Sequence, residues 1–206
     1  MKNSLLHSSF ILNGNSFSTS EDLIAFSKGL SKEMHHFFVN WFDEKDFIKI
    51  QTSGSTGKPK TVQLKKEFMI NSALATGVFF DLKENTTALL CMSTNFIAGK
   101  MMLIRAFVLG WNIDVIEPIS HPLENSTKKY DFSAMVPLQL QNSLSQIYRI
   151  EKLIVGGGIV SEELVSKIQD LPTKVFATFG MTETCTHIAV KQLNGFKNRT
   201  SSEVEK

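Results

Sequence analysis

The densest chemistry in these 206 residues lies in one short run: Thr52, Ser53, Gly54, Ser55, Thr56, Gly57, Lys58, Pro59 and Lys60. Glycine lets a backbone approach a ligand closely and turn its N–H groups inward. Four hydroxyls add donors and two lysines add charge, which together suit a polyphosphate. The run is not a G-x-x-x-x-G-K-[ST] loop. With Gly57 and Lys58 set on that pattern, the first glycine place holds Thr52 and the hydroxyl place holds Pro59. By composition alone, a turn-rich surface loop has the same look.

A second run, Phe179, Gly180, Met181, Thr182 and Glu183, combines three useful groups. A phenyl ring offers a π-face to a base, and a carboxylate is a hard ligand for magnesium beside phosphates. A capped helix start would also explain it. Gly156, Gly157 and Gly158 form a glycine triplet that either turns the chain tightly or lines a ligand pocket. Lys100 stands alone in an apolar segment, where a lysine either snorkels to solvent or pairs with an anion. His187 either packs or lines a channel. His35, His36 and His121 read as structural or exposed, and Cys91 and Cys185, which have no CxxC spacing, as packing residues.

These groups need elements to place them. Ser20 before Glu21 and Asp22 predicts a helix N-cap, with the helix reaching about residue 42. Alternation predicts a strand over 47–52, and short strands follow at 61–64, 87–92, 112–116, 131–136, 152–155 and 174–178. Helices are expected over 65–80, 97–109 with a stop at Gly110, 137–145, and from a Ser161 cap with Glu162 and Glu163 behind it. Apolar strands alternating with helices predict an α/β fold, a layered and mainly parallel β-sheet with flanking helices. In such sheets ligands bind beyond the carboxyl ends of the strands, which is where both runs fall.

Composition narrows the partners. Apolar residues make up 42% and charged residues 20%, with a formal net charge of +2. That balance gives no case for nucleic acid or for a membrane held by bulk charge. Only Arg105, Arg149 and Arg199 are arginines, so an anion site must rely on lysine, hydroxyls and backbone N–H groups. His7, Ser8 and Ser9 break the apolar N-terminus, so a signal peptide is not expected. The apolar stretch 68–80 is shorter than the roughly 20 residues a bilayer span needs and is expected to be a buried helix. A reduced, cytoplasmic setting fits the two unpaired cysteines.

The string from Thr52 to Lys60 resembles the T-S-G-S-T-G-x-P-K phosphate loop of the adenylate-forming enzymes: acyl-CoA synthetases, luciferases and peptide-synthetase adenylation domains. Phe179 to Glu183 is similar to their aromatic-G-x-T-E motif, in the expected order. The resemblance implies that Thr52, Ser53, Gly54, Ser55, Thr56, Gly57 and Lys58 hold ATP phosphates and that Phe179 and Gly180 meet adenine beside Gly156, Gly157 and Gly158. It implies that Thr182 meets the α-phosphate, that Glu183 holds Mg2+, and that Lys60 shares in catalysis. An asparagine usually stands two residues before the aromatic; here it is Ala177, so adenine contacts fall to backbone groups.

Residues 93–102 and 180–189 further resemble the o-succinylbenzoate–CoA ligase branch of menaquinone biosynthesis. Phe96 stands where many relatives carry histidine. This implies a small-molecule carboxylic acid with two carboxylates, contacted by Phe96, Lys100 and His187, with coenzyme A as co-substrate. Two rivals stay open: a ligase for another aryl or fatty acid, and a non-catalytic nucleotide-binding module. The expected organisation is a helical lead-in at 1–44, a partial AMP-binding domain at 45–195 and a tail at 196–206, with the C-terminal catalytic-lysine domain absent. From that follows a truncated chain with little ligase activity of its own, and a possible homodimer.

Overall fold

The structure, a computed structural model, describes residues 6–51 and 60–195. The chain opens on a two-strand hairpin, β1 (Ile11–Leu12) and β2 (Asn15–Ser16). Asn13 and Gly14 turn it, both with positive φ, which is the preferred chemistry for a two-residue hairpin. Sequence periodicity missed these strands because two residues are too few to show alternation.

The expected helix over 20–42 is two helices, α1 (Ser20–Ser27) and α2 (Lys32–Trp41). Thr19, not Ser20, caps α1. Its hydroxyl accepts the Asp22 N–H at 3.1 Å while Asp22 accepts the Thr19 N–H at 3.1 Å. Gly29 weakens the helix between them, and the Ser31 hydroxyl restarts it by accepting the Met34 N–H. Trp41, Phe38 and Phe42 then pack around Phe107, so the segment before residue 45 is part of the core.

A separate antiparallel pair, β3 (Phe47–Gln51) and β4 (Thr61–Lys65), precedes α3 (Lys66–Phe79). Only one face of α3 is buried, at Met69, Ala73, Thr76 and Gly77. Phe68, Leu74, Val78 and Phe79 face outward, which corrects the expectation of a buried helix. Then come β5 (Thr87–Leu90), α4 (Ile97–Leu109), β6 (Asn112–Val115), β7 (Tyr130–Met135), α5 (Pro137–Asn142) and β8 (Ile150–Val155). The series ends with α6 (Glu162–Lys167), β9 (Lys174–Gly180) and β10 (His187–Gln192). Gly110 closes α4 in the left-handed conformation, as expected.

The main sheet runs β10-β9-β8-β7-β5-β6-β1-β2. Pairs from β9 through to β1 are parallel, while β10 and β2 add antiparallel edges. Alternate side chains supply the two apolar layers that cover it. Ala88, Leu90, Phe132 and Ile154 face the layer under α3 and α4, whereas Leu89, Leu153, Val155 and Val175 face the layer holding Leu140 and Leu164. β5 and β7 are neighbours, and the chain leaves β5 toward β6 but β7 toward β8, in opposite directions across the sheet, the arrangement that places a crevice at their carboxyl ends.

Candidate functional site

β8 and β9 lie parallel with Val155 opposite Ala177, so the residues just beyond them share the carboxyl edge of the sheet. Gly156 still donates its N–H to Met135 O at 3.1 Å. A Cβ there would lie 2.6 Å from Thr178 Oγ1, which itself donates to Val155 O at 3.1 Å. Gly157 has φ of +76°, open to glycine and strained for other residues. Backbone geometry thus accounts for the first two glycines, and Gly157 and Gly158 are exposed beside Val136 and Pro137, which follow β7.

Phe179, next to last in β9, has 64% of its surface exposed, unusual for a large apolar side chain on a sheet. A Cβ on Gly180 would lie 2.2 Å from Thr186 O, because the chain doubles back here into β10. Between them Thr182–Thr184 forms one 3-10 turn, closed by the Cys185 N–H on Thr182 O at 3.0 Å. Cys185 has φ of 64° and ψ of −36°, a positive-φ conformation uncommon outside glycine. Thr184 Oγ1 accepts the Met181 N–H at 2.9 Å and lies 2.8 Å from Thr186 O. Thr182 is half-buried and Glu183 exposed.

This turn packs against β4. Lys60, exposed, stands immediately before β4. The strand that follows the hydroxyl–glycine run therefore meets the second run, more than a hundred residues away in sequence. Thr52, Ser53, Gly54, Ser55, Thr56, Gly57 and Lys58 lie outside the described residues.

Beneath the turn is a group that sequence reading passed over. Arg105 of α4 is fully buried; its Nη2 donates to Thr186 Oγ1 at 2.7 Å and its Nε to Thr76 Oγ1 at 3.3 Å. Burial draws its pKa down to about 10. His187 stands next to Thr186, edge-on to Phe80 with ring centroids 6.4 Å apart. Burial first, and the Arg105 charge second, bring its pKa down to about 4, so the imidazole is neutral near pH 7. An arginine in the middle of an apolar helix was the available signal for this arrangement. Cys185 is also buried, which raises its thiol pKa and leaves it unactivated.

Phe96 and Lys100 belong to the neighbouring connection after β5. Phe96 is the N-cap residue of α4 and is exposed. Lys100 Nζ turns back onto the carbonyls of Thr94 and Asn95, the second at 2.9 Å, and burial lowers its pKa to about 8. It lines a cavity with α2 and β3 that includes none of Gly156, Gly157, Gly158 or residues 179–183. Gln139, which gave no sequence signal, braces the crevice by donating to Cys91 O at 2.7 Å and Ile119 O at 2.9 Å.

Among known families, the model described as AMP-binding enzyme matches residues 7–204. The 2-succinylbenzoate–CoA ligase of Staphylococcus epidermidis is 26% identical over 155 residues, 72% of this chain and 33% of the relative. That of Lactococcus lactis is 23% identical over 165 residues, 78% of this chain and 37% of the relative. Among solved structures, an acyl-CoA synthetase (AMP-forming)/AMP-acid ligase II-like protein from Dyadobacter fermentans is 38% identical with a TM-score of 0.74, covering 79% of this chain and 49% of the other. O-succinylbenzoate coenzyme A synthetase from Bacillus subtilis, in complex with ATP and magnesium ion, has a TM-score of 0.63 at 19% identity, over 85% and 45% of the two chains. That last likeness concerns the fold alone. The chain spans between a third and a half of the length of these proteins. With its residues 7–204 matched and its sheet shared with these structures, the chain belongs to the AMP-binding enzyme family.

Proposed function

We propose that this chain carries the nucleotide-handling part of an ATP-dependent acid–CoA ligase, with o-succinylbenzoate as the acid. The observation that supports the proposal is the packing of the Thr182–Thr184 turn against β4, the strand that directly follows Lys60. Phe179 presents an exposed ring suited to adenine, and Gly157 and Gly158, at the carboxyl end of the neighbouring strand, are exposed as well. Thr182 and Lys60 supply a hydroxyl and a cation for phosphate oxygens. Among the described residues no three His, Cys, Asp or Glu side chains gather to hold a metal unaided. Glu183 alone offers a hard oxygen, which fits an Mg2+ ion completed by substrate phosphates, where it would neutralise their charge.

In this reading a carboxylate oxygen of the acid attacks the ATP α-phosphorus and pyrophosphate leaves. The coenzyme A thiolate then attacks the acyl carbonyl of the mixed anhydride and AMP leaves. The protein's part is to position the reactants and stabilise charge rather than to form covalent bonds. Phe96 and His187 border the same edge and are assigned to the acid; a neutral His187 there donates or accepts without adding charge. The named 2-succinylbenzoate–CoA ligases support this choice of acid.

Calorimetric titration with a non-hydrolysable o-succinylbenzoyl-adenylate analogue tests the proposal. Tight binding, weakened at least tenfold by Glu183→Ala or Lys60→Ala, is expected. Binding of AMP but not of the analogue would move the proposal to another acid. Failure of a folded chain to bind either would leave only a non-catalytic role.

A further inference from the structure

A cavity of about 570 Å³ opens between α2, β3 and residues 94–100, within the size range of small-molecule sites. Phe37 and Ile48 give it an apolar floor, both almost fully buried. Lys32, Lys45, Lys49 and Lys100 line it, with His36 on the same face of α2 as Lys32. Two carboxylates share the lining, and both are engaged. Asp43 takes Lys66 Nζ at 2.8 Å and Lys45 Nζ at 3.5 Å. Glu33 is held at the N-terminus of α2 by its own backbone N–H and by Ser31. Lys32 lies beside Glu33 and feels its charge, and Lys100 Nζ rests on the Thr94 and Asn95 carbonyls; among the described residues neither Lys49 nor Lys100 is paired with a carboxylate, so the lining keeps an excess of positive charge.

We propose that this cavity is a second binding site, distinct from the edge that carries Phe179 and Glu183, for a small organic anion with an apolar body. The apolar part would rest on Phe37 and Ile48 and the charged part would meet Lys32 and Lys49 at the rim and Lys100 below them. Lys100 adds a driving force. Burial penalises its charged form, and a bound anion would offset that penalty. A lone lysine at a surface contributes little to binding, whereas several lining one pocket add their fields.

Two probes separate the possible charged groups: phthalate for carboxylate, and adenosine 3′,5′-bisphosphate for phosphate, with inorganic phosphate as the control lacking an apolar body. Each is titrated by calorimetry into the whole chain, into a Lys32→Met/Lys49→Met variant, and into a Lys32→Arg/Lys49→Arg variant. Both positions are exposed, so both variants are expected to melt like the parent. The proposal expects one organic probe to bind at least tenfold more tightly than inorganic phosphate. It expects that affinity to fall at least tenfold in the methionine variant, to persist in the arginine variant, and to be unaffected by excess AMP. Binding of neither probe, or equal binding to the parent and methionine variants, overturns the site. Displacement by AMP overturns its independence from the nucleotide edge, and equal affinity for inorganic phosphate overturns the role of the apolar floor.

Discussion

Arg105 Nη2 donates to Thr186 Oγ1 at 2.7 Å, tying the middle of α4 to the connection that follows the aromatic-G-x-T-E run. The same guanidinium reaches Thr76 Oγ1, so one buried cation bridges α3, α4 and the site edge through hydroxyls. Losing one partner of such a bond leaves a buried charged donor unmet. Thr186→Val, nearly the same shape, is expected to cost about 1.5–3 kcal/mol of unfolding free energy. In an Arg105→Met background the same change should cost much less, since the donor is gone. Urea denaturation of the four-member cycle checks this. Equal costs in both backgrounds would mean that the bond carries no energy.

His187 gives this region a pH dependence of defined sign. Its pKa is about 4 in the folded chain against an ordinary 6.5, so the unfolded chain binds the proton first as pH falls. The neutral imidazole contributes no linkage above about pH 6.5; stability is lost progressively between about 6.5 and 4, and the loss is complete below 4. Replacing His187 by Gln should remove this component. The difference in unfolding free energy between parent and His187→Gln, followed from pH 7.5 to 4.5, is expected to shift against the parent as acid is added. A difference that stays flat would show an imidazole free to protonate in the fold.

Much of this was legible before any coordinates. The apolar run of α4 and its glycine stop gave its limits because local sequence alone sets both. The parallel α/β class followed from strand and helix rhythm. What stayed hidden depends on distance. Thr186 lies 81 residues from Arg105, and neither residue's type announces the other. β10 was missed because Ile188 interrupts its alternation, where the register with β9 shifts between His187 and Ala189. Both runs could be named from their residues, but the packing of β4, which follows the first, against the turn within the second is a property of the fold.

Gly156, which crowds Thr178 of β9, and Gly180, the last residue of that strand, should respond differently to a methyl group. At Gly156 the obstruction is a side-chain oxygen, Thr178 Oγ1 at 2.6 Å; at Gly180 it is the backbone oxygen of Thr186 at 2.2 Å. Gly156→Ala should cost about 1–3 kcal/mol, as overpacking does, and Thr178→Ala should restore most of it. Truncating a side chain opens no room for Gly180→Ala, which should distort the β9–β10 return and weaken nucleotide binding in any background. Thermal melts and AMP titration of the two singles and the Gly156→Ala/Thr178→Ala double separate the cases. A double no better than Gly156→Ala alone would place the clash elsewhere.

Asn194 fastens the far end of that return. It is 1% exposed; its Oδ1 accepts the Val175 N–H at 2.9 Å, and its Nδ2 donates to Thr173 O at 2.8 Å and Ile168 O at 2.9 Å. One side chain thus satisfies three backbone groups at the start of β9 and the end of α6. Asn194→Ala leaves all three without that partner, and at about 1–3 kcal/mol for each buried group the total should exceed about 3 kcal/mol. Asn194→Asp keeps the acceptor and the shape but removes both donors and buries a charge. Its carboxyl should resist ionisation, with a folded pKa above the unfolded one, so the variant should gain stability as pH falls and a protonated oxygen can donate to one carbonyl. Denaturation of both variants at pH 7.5 and 5 provides the check: Asp should recover relative to Ala in acid. An aspartate variant whose deficit is the same at both pH values would mean that water reaches this corner, and that β10 is held by its ladder to β9 rather than by the Asn194 clamp.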